Sequence, residues 1–275
     1  MIKSKKHLSS LLKVPYPELV KITNKINRFY YKKEEVKKKK DGTPKLDKDG
    51  NPRIRTLYPS KGKLKEIQAI IKNAILSKLA LSQGVYGGVK GKDSVRNAKV
   101  HKGKKYKFVT DLKDFYPSVR PKMVYQALIR YGFSSDVASI LTKLTTYKNQ
   151  VPQGAPTSTH ITNIALSDLD DYMTDLCSKR NISYTRYVDD MTFSSQQCFK
   201  IVLPEIITAI EKYGLKLSHR KTSYAAGSIM ITGARVRNNS LSVSDEMSDK
   251  LSHPERYKER QIQGHKAYTK RVKAM

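Results

Sequence analysis

Asp111 closes an apolar run, FVTD, and Asp189 and Asp190 stand side by side in RYVDDMTF. If the segments carrying them are neighbouring strands of one sheet, three carboxylates converge at its edge. Carboxylates so close raise one another's pKa and resist ionising together. Hard divalent cations with oxygen ligands remove that conflict. Two such ions about 3.5–4 Å apart can grip both the attacking and the leaving oxygen of a phosphoryl transfer. Paired aspartates are also ordinary turn residues, because Asp tolerates turn conformations. Three features set this pair apart from a structural turn: apolar flanks at Tyr187, Val188, Met191 and Phe193, the upstream Asp111, and a strongly cationic chain.

The elements that must position these residues are legible as periodicities. KYKFVTD reads as a buried strand running into a turn at Pro117, and ISYTRYVDDMTFSS reads as two strands with Asp189-Asp190 between them. Helical spacing is predicted over 4–28, broken at Pro15 and Pro17, and again through Leu64, Ile67, Ile71, Ala74, Ile75 and Leu79. Further helices are expected over 121–131, 135–147 and 199–213, with one long helix starting at about Ser158. Asp41-Gly42 and Asp49-Gly50 are turn signals inside a lysine-rich stretch that reads as a long basic β-hairpin or as a solvated charged loop. Glycines at 84, 87, 88 and 91 follow, and a second hairpin turns at Asn238-Asn239. Residues 245–275 are polar, basic and read as helical. Hairpin strands with helices on one face make an α+β sandwich, and no linker demands separate domains.

Composition bounds the partners. The chain has 275 residues, room for one large compact domain or two small ones, and a formal charge of +30. Such self-repulsion is relieved by a polyanion, whose phosphates release counterions on contact. Charge alone fits a generic basic or ribosomal-type protein equally well. Tyr at 17 and Trp at zero suits stacking along a basic groove, and suits core packing as well. The two cysteines, Cys177 and Cys198, lack zinc spacing and are expected to be buried thiols in a reducing compartment. The basic N-terminal stretch lacks the apolar core and cleavage site of a signal peptide, and no run approaches a membrane span. A cytosolic protein with no membrane partner is expected.

Taken together, DLKDFYPS and YVDD resemble motifs A and C of the reverse transcriptases, and VPQGAPTSTHITNIAL resembles their motif B. PRIRTLYPSKGKLKEIQAII, which contains Gln68, is similar to their fingers motifs, and GLKLSHRKT to motif D. All five occur in the family's order across about residues 50–236. The resemblance implies a right-hand polymerase fold with fingers, an antiparallel palm sheet backed by helices, and a short, mostly helical thumb. It places fingers at 1–110, interleaved with a palm at 111–235, and a compact thumb or basic tail at 236–275. It implies that Asp111, Asp189 and Asp190, with the Leu112 carbonyl, bind two Mg2+ ions, for which Mn2+ can substitute. Tyr116 stands where the family has its sugar gate, whose ring clashes with a 2′-hydroxyl and favours dNTPs. Gln153 and Gly154 should line the nucleotide and template. Arg53, Arg55 and Lys65 should meet the triphosphate, where Arg offers bidentate geometry. Lys221 matches the motif D lysine, a proton donor to pyrophosphate. The implied chemistry is attack of a primer hydroxyl on the α-phosphate of a dNTP, driven by positioning and charge neutralisation.

RNAKVH, with Asn97, Ala98 and His101, fits the NAxxH signature of the bacterial retron enzymes, and Ile231-Thr232-Gly233 departs from their VTG by one conservative change. That resemblance implies a structured non-coding RNA partner, priming from a guanosine 2′-OH, and branched RNA-linked single-stranded DNA (msDNA). It also implies an effector protein in anti-phage defence. Lys250, Arg256, Lys258, Arg260, Lys266, Lys270, Arg271 and Lys273 would then serve a thumb against an RNA stem, read by shape, phosphate and 2′-hydroxyl. The same residues also suit a solvated tail. Rival readings are another bacterial defence or group II-like reverse transcriptase, including an untemplated or protein-primed one, an RNA-dependent RNA polymerase, and a nucleic-acid-binding scaffold with a vestigial site.

Overall fold

The computed structural model describes residues 2–39 and 42–275. The chain divides into two units, each built from two stretches: 1–81 with 114–167, and 82–113 with 168–275.

In the first unit, Pro15 stops one helix and starts the next, giving Lys5–Leu12 and Tyr16–Asn24. Leu8, Leu12, Leu19 and Ile22 face inward from them. Strands β1 (Lys33–Val36) and β2 (Ile54–Leu57) pair antiparallel, so the lysine-rich stretch is a ribbon and not a loose loop. Its Asp49-Gly50 turn is present: the Asp47 carboxylate accepts from the Asp49 and Asn51 amides at 2.9 Å, and Gly50 takes a φ of +82°. Asp41 of the other turn signal lies outside the described residues. The helix expected from Leu64 to Leu79 is α-helical only over Gly62–Ile70. It continues as a π turn, Ile71–Ile75, and a 3-10 turn, Leu76–Lys78. Ile71, Ile75, Leu76 and Leu79 are buried along this rewound stretch. Helices Pro121–Arg130, Ser135–Thr145 and Ser158–Ala165 complete this unit's core.

The second unit is organised by β3 (Tyr106–Asp111), β4 (Ser183–Tyr187), β5 (Asp190–Ser195) and β6 (Ser223–Ala226), an antiparallel sheet of order β4-β5-β3-β6. Phe108 on β3 lies opposite Phe193 on β5, with ring centroids 5.8 Å apart. Lys107 is buried in the same sheet and donates to the Gly227 carbonyl at 2.7 Å and to that of Lys104. The expected second hairpin is a three-stranded meander, β7 (Ile229–Ile231), β8 (Ala234–Val236) and β9 (Leu241–Val243). Gly233, at a φ of +92°, allows the extra turn that sequence spacing hid.

Residues 245–275 form helices Asp245–Ser252 and Glu259–Lys273. The latter is packed, with Val272 buried and Arg271 paired to Asp93 at 2.5 Å, so it is not a frayed tail. Cys177 is buried, but Cys198 is exposed: it precedes the surface turn Lys200–Val202, and its sulfur accepts from the Tyr224 hydroxyl at 3.4 Å. No helix among the described residues is long and apolar enough to cross a membrane.

Candidate active site

The antiparallel register of β3 and β5 sets Asp111, the last residue of one, directly opposite Asp190, the first residue of the other. Asp189 sits in the tight turn that joins β4 to β5. Its carbonyl accepts from the Leu112 amide at 2.9 Å, and the Asp111 carbonyl accepts from Ser218 at 2.7 Å. Backbone bonds therefore fix both shoulders of the site. One carboxylate oxygen from each of Asp111, Asp189 and Asp190 lies within 4.8 Å of the others. Asp111 is buried and the other two are partly buried.

The electrostatics follow from that crowding. Burial, then the charge of Asp111, pushes the Asp189 carboxyl above its ordinary range. Burial, then the charges of Asp189 and Asp111, raises Asp190 to about 6. Lys221 comes from the turn His219–Lys221 and places its Nζ 2.5 Å from Asp111 Oδ2. Burial alone would lower the Lys221 ammonium, but the hydrogen bond and charge of Asp111, with Asp189 and Asp190 behind it, hold it above its usual value. Three carboxylates (−3) and one ammonium (+1) leave a formal −2. An all-oxygen site of that charge, short of countercharge by its own titration, fits a hard divalent cation.

The structure thus brings together Asp111, Leu112, Asp189, Asp190 and Lys221 of the sequence-predicted set. The others lie in the first unit. Arg55 is exposed on β2 opposite Glu35, Arg53 is exposed just before that strand, and Lys65 is exposed on helix Gly62–Ile70. Gly154 has a φ of +104°, which favours glycine, and its α-carbon faces Pro59 and Leu57 at the end of β2. The Gln153 carbonyl accepts from the Tyr58 amide at 2.8 Å, so the QG loop and the ribbon's base are tied. Tyr116 hydrogen-bonds Thr159 at 3.1 Å, with its ring edge-on to Phe115.

Sequence reasoning passed over Asp170 and Arg186. They form a fully buried ion pair at 2.6 Å beneath the Asp189 turn. An arginine inside the strand SYTRYV, just ahead of the Asp189-Asp190 turn, was the available signal, since Arg is almost never fully buried unless paired.

The reverse transcriptase (RNA-dependent DNA polymerase) family matches residues 36–256 of the chain. The chain is 35% identical over 172 residues to the retron Ec86 reverse transcriptase of Escherichia coli, covering 62% of this chain and 54% of that protein. It is 30% identical over 244 residues to the retron Ec73 reverse transcriptase of Escherichia coli, covering 80% and 73% respectively. Telomerase from Candida albicans, solved with a fragment of telomeric RNA, superposes with a TM-score of 0.55 at 13% identity, over 80% of this chain and 48% of that one. That likeness is one of fold. The chain spans about half the length of the Ec86 relative and of the telomerase.

Proposed function

This chain belongs to the reverse transcriptases, among the retron enzymes, and from that premise we propose that it is an RNA-directed DNA polymerase. The observation that carries the reading is the cluster of Asp111, Asp189 and Asp190, with Lys221 on its rim. A primer hydroxyl, giving up its proton to water, attacks the α-phosphate of a dNTP; the new P–O bond forms as the bond to pyrophosphate breaks. Asp111, Asp189 and Asp190, with the Leu112 carbonyl, would hold Mg2+, or Mn2+ in its place, which supplies charge neutralisation and Lewis acidity when bound. Lys221 gives a proton to the departing pyrophosphate. Arg53, Arg55 and Lys65 bind the triphosphate, Gln153 and Gly154 line nucleotide and template, and the Tyr116 ring excludes a 2′-hydroxyl. Fingers at 1–110 interleave with a palm at 111–235, and a compact thumb follows at 236–275. The template is a structured non-coding RNA, priming is from a guanosine 2′-OH, and the msDNA product serves anti-phage defence with an effector protein in the bacterial cytoplasm. The retron relatives, the NAxxH sequence and the +30 charge support this extension.

Primer extension on an RNA template tests the core. Extension is expected with dNTPs and Mg2+, not with NTPs, and Asp189→Ala with Asp190→Ala should lower it by at least about 100-fold. Wild-type protein that binds RNA but extends nothing would point to a scaffold, and equal extension by the double variant would place the activity outside this cluster. Nucleic acid purified with the protein from its native locus tests the rest. DNA that shortens after RNase and again after debranching enzyme is expected; RNA with no attached DNA would remove the 2′-primed reading.

A further inference from the structure

Val188, between Tyr187 and Asp189, has a φ of +61°. Tyr187 and Asp190 are paired across the two strands, so Val188 and Asp189 are the whole loop. Such a loop wants glycine or asparagine where φ is positive, and a β-branched side chain there is strained. Strained backbone persists only where its surroundings over-determine it. Two separate supports converge on this turn.

The first is the Arg186 guanidinium. Its Nε and Nη2 donate to the two oxygens of Asp170, at 2.8 and 2.6 Å. Its Nη1 donates to the Val188 carbonyl at 2.9 Å. Asp170 is carried by helix Ser167–Ser178 and also accepts from the Tyr184 hydroxyl at 2.7 Å. Both charged side chains are 0% exposed. A buried ion pair is a poor source of net stability, because desolvation offsets its attraction. It is a good source of direction: the planar guanidinium fork holds three acceptors at fixed angles, which an ammonium cannot.

The second support is the glycine-rich segment. Arg186 donates its amide to the Gly84 carbonyl at 2.8 Å and accepts from the Tyr86 amide at 2.8 Å. The chain then passes so close to the turn that a Cβ on Gly87 would stand 2.4 Å from the Val188 nitrogen. Gly87 is therefore a contact surface for the turn.

We propose that Arg186, anchored by Asp170 and Tyr184 and flanked by Gly84–Gly87, is a positioning residue that sets the height of Asp189 against Asp111. It acts through the Val188 carbonyl and touches no substrate. The consequence for catalysis rests on the polymerase reading; the consequence for metal affinity does not.

Two variants separate geometry from folding. Arg186→Lys keeps a positive charge opposite Asp170 and loses the fork. Gly87→Ala leaves the ion pair intact and pushes on Val188. Three quantities are measured on each: the melting temperature, Mn2+ affinity of the free protein by electron paramagnetic resonance, and single-nucleotide extension under saturating primer–template. Both variants are expected to weaken Mn2+ binding about tenfold and to lower kcat about 10- to 100-fold, with the dNTP KM within about threefold of wild type. The kcat loss should be larger in Mg2+ than in Mn2+, because Mg2+ demands near-ideal octahedral geometry. Wild-type Mn2+ affinity in variants that fold overturns the proposal, as does a kcat loss that merely tracks the folded fraction in both metals. If Arg186→Lys does not fold, Gly87→Ala decides alone. A wild-type protein that binds Mn2+ but extends no primer would sink the polymerase reading and leave the Mn2+ affinities to decide the positioning role.

Discussion

His101 shows how a single side chain can be legible as a signature and opaque as a mechanism. The ring is fully buried, with Nδ1 2.7 Å from Ser194 Oγ and Nε2 2.8 Å from Thr185 Oγ1. It pins helix Ser94–Lys99 to the β4–β5 hairpin whose turn carries Asp189. Asn97, from the same helix, hydrogen-bonds Thr232 at 3.4 Å, so the NAxxH residues and Thr232 meet in the fold. Burial, then the charges of Lys107 and Lys104, lowers the imidazole to about 3. The unfolded value is about 6.5, so folding favours the neutral ring. The stabilisation is therefore complete above pH 6.5 and is lost as pH falls toward 3. Linkage gives a loss of about 2 kcal/mol between pH 7 and 5 from this group alone. His101→Gln should cost about 1–3 kcal/mol at pH 7. The gap to wild type should close by about 2 kcal/mol at pH 5, as read from urea midpoints at both pH values. Parallel pH curves for the two proteins would mean that His101 does not titrate on unfolding.

At the scale of elements, strands were legible and helix continuity was not. The Asp111 and Asp189-Asp190 strands were readable because apolar runs ending in acid carry both a period and a stop. The long helix expected from Ser158 is instead two, Ser158–Ala165 and Ser167–Ser178. Periodicity runs through that break, while Ser167 and Asp168 favour a fresh helix start. The π turn at Ile71–Ile75 was hidden for a related reason: aliphatic residues fit either winding. Gln68, just before it, could be placed on the helix but not given a purpose. Its amide is buried, accepts from Ser60 at 2.7 Å, and donates to the Tyr30 hydroxyl at 2.8 Å and the Leu144 carbonyl at 2.7 Å. Tyr30 stacks on Tyr147 at 4.4 Å, and Tyr147 meets Tyr58, whose amide holds the Gln153 carbonyl. One amide thus secures the base of the basic ribbon and the QG loop. Gln68→Leu keeps the volume but leaves three buried groups unpaired, so it should lose about 2–4 kcal/mol by urea denaturation. A loss below about 0.5 kcal/mol, the usual size of a surface substitution, would show that the network repacks freely.

The whole molecule adds what neither residues nor elements display. Each unit is assembled from two distant stretches, 1–81 with 114–167 and 82–113 with 168–275. Sequence patterns reveal elements but not which remote stretches cluster, because the contacts that decide it are long-range. Charge, by contrast, is a whole-chain property and was readable at once: +30 over 275 residues. For the nucleic-acid partner proposed above, a surface so charged makes affinity strongly dependent on salt, since each phosphate neutralised releases a counterion. With about six to ten phosphate contacts, affinity for a structured RNA should fall roughly 10³- to 10⁵-fold between 50 and 200 mM salt. Arg53→Ala with Arg55→Ala should make the slope of log K against log salt shallower by about 1–2 if both side chains meet phosphates, and change it little if they serve only the incoming triphosphate. Filter binding across a salt series measures this directly. A slope near zero for wild type would mean that the positive surface is not spent on phosphates, and the reading of this charge as a nucleic-acid footprint would fall with it.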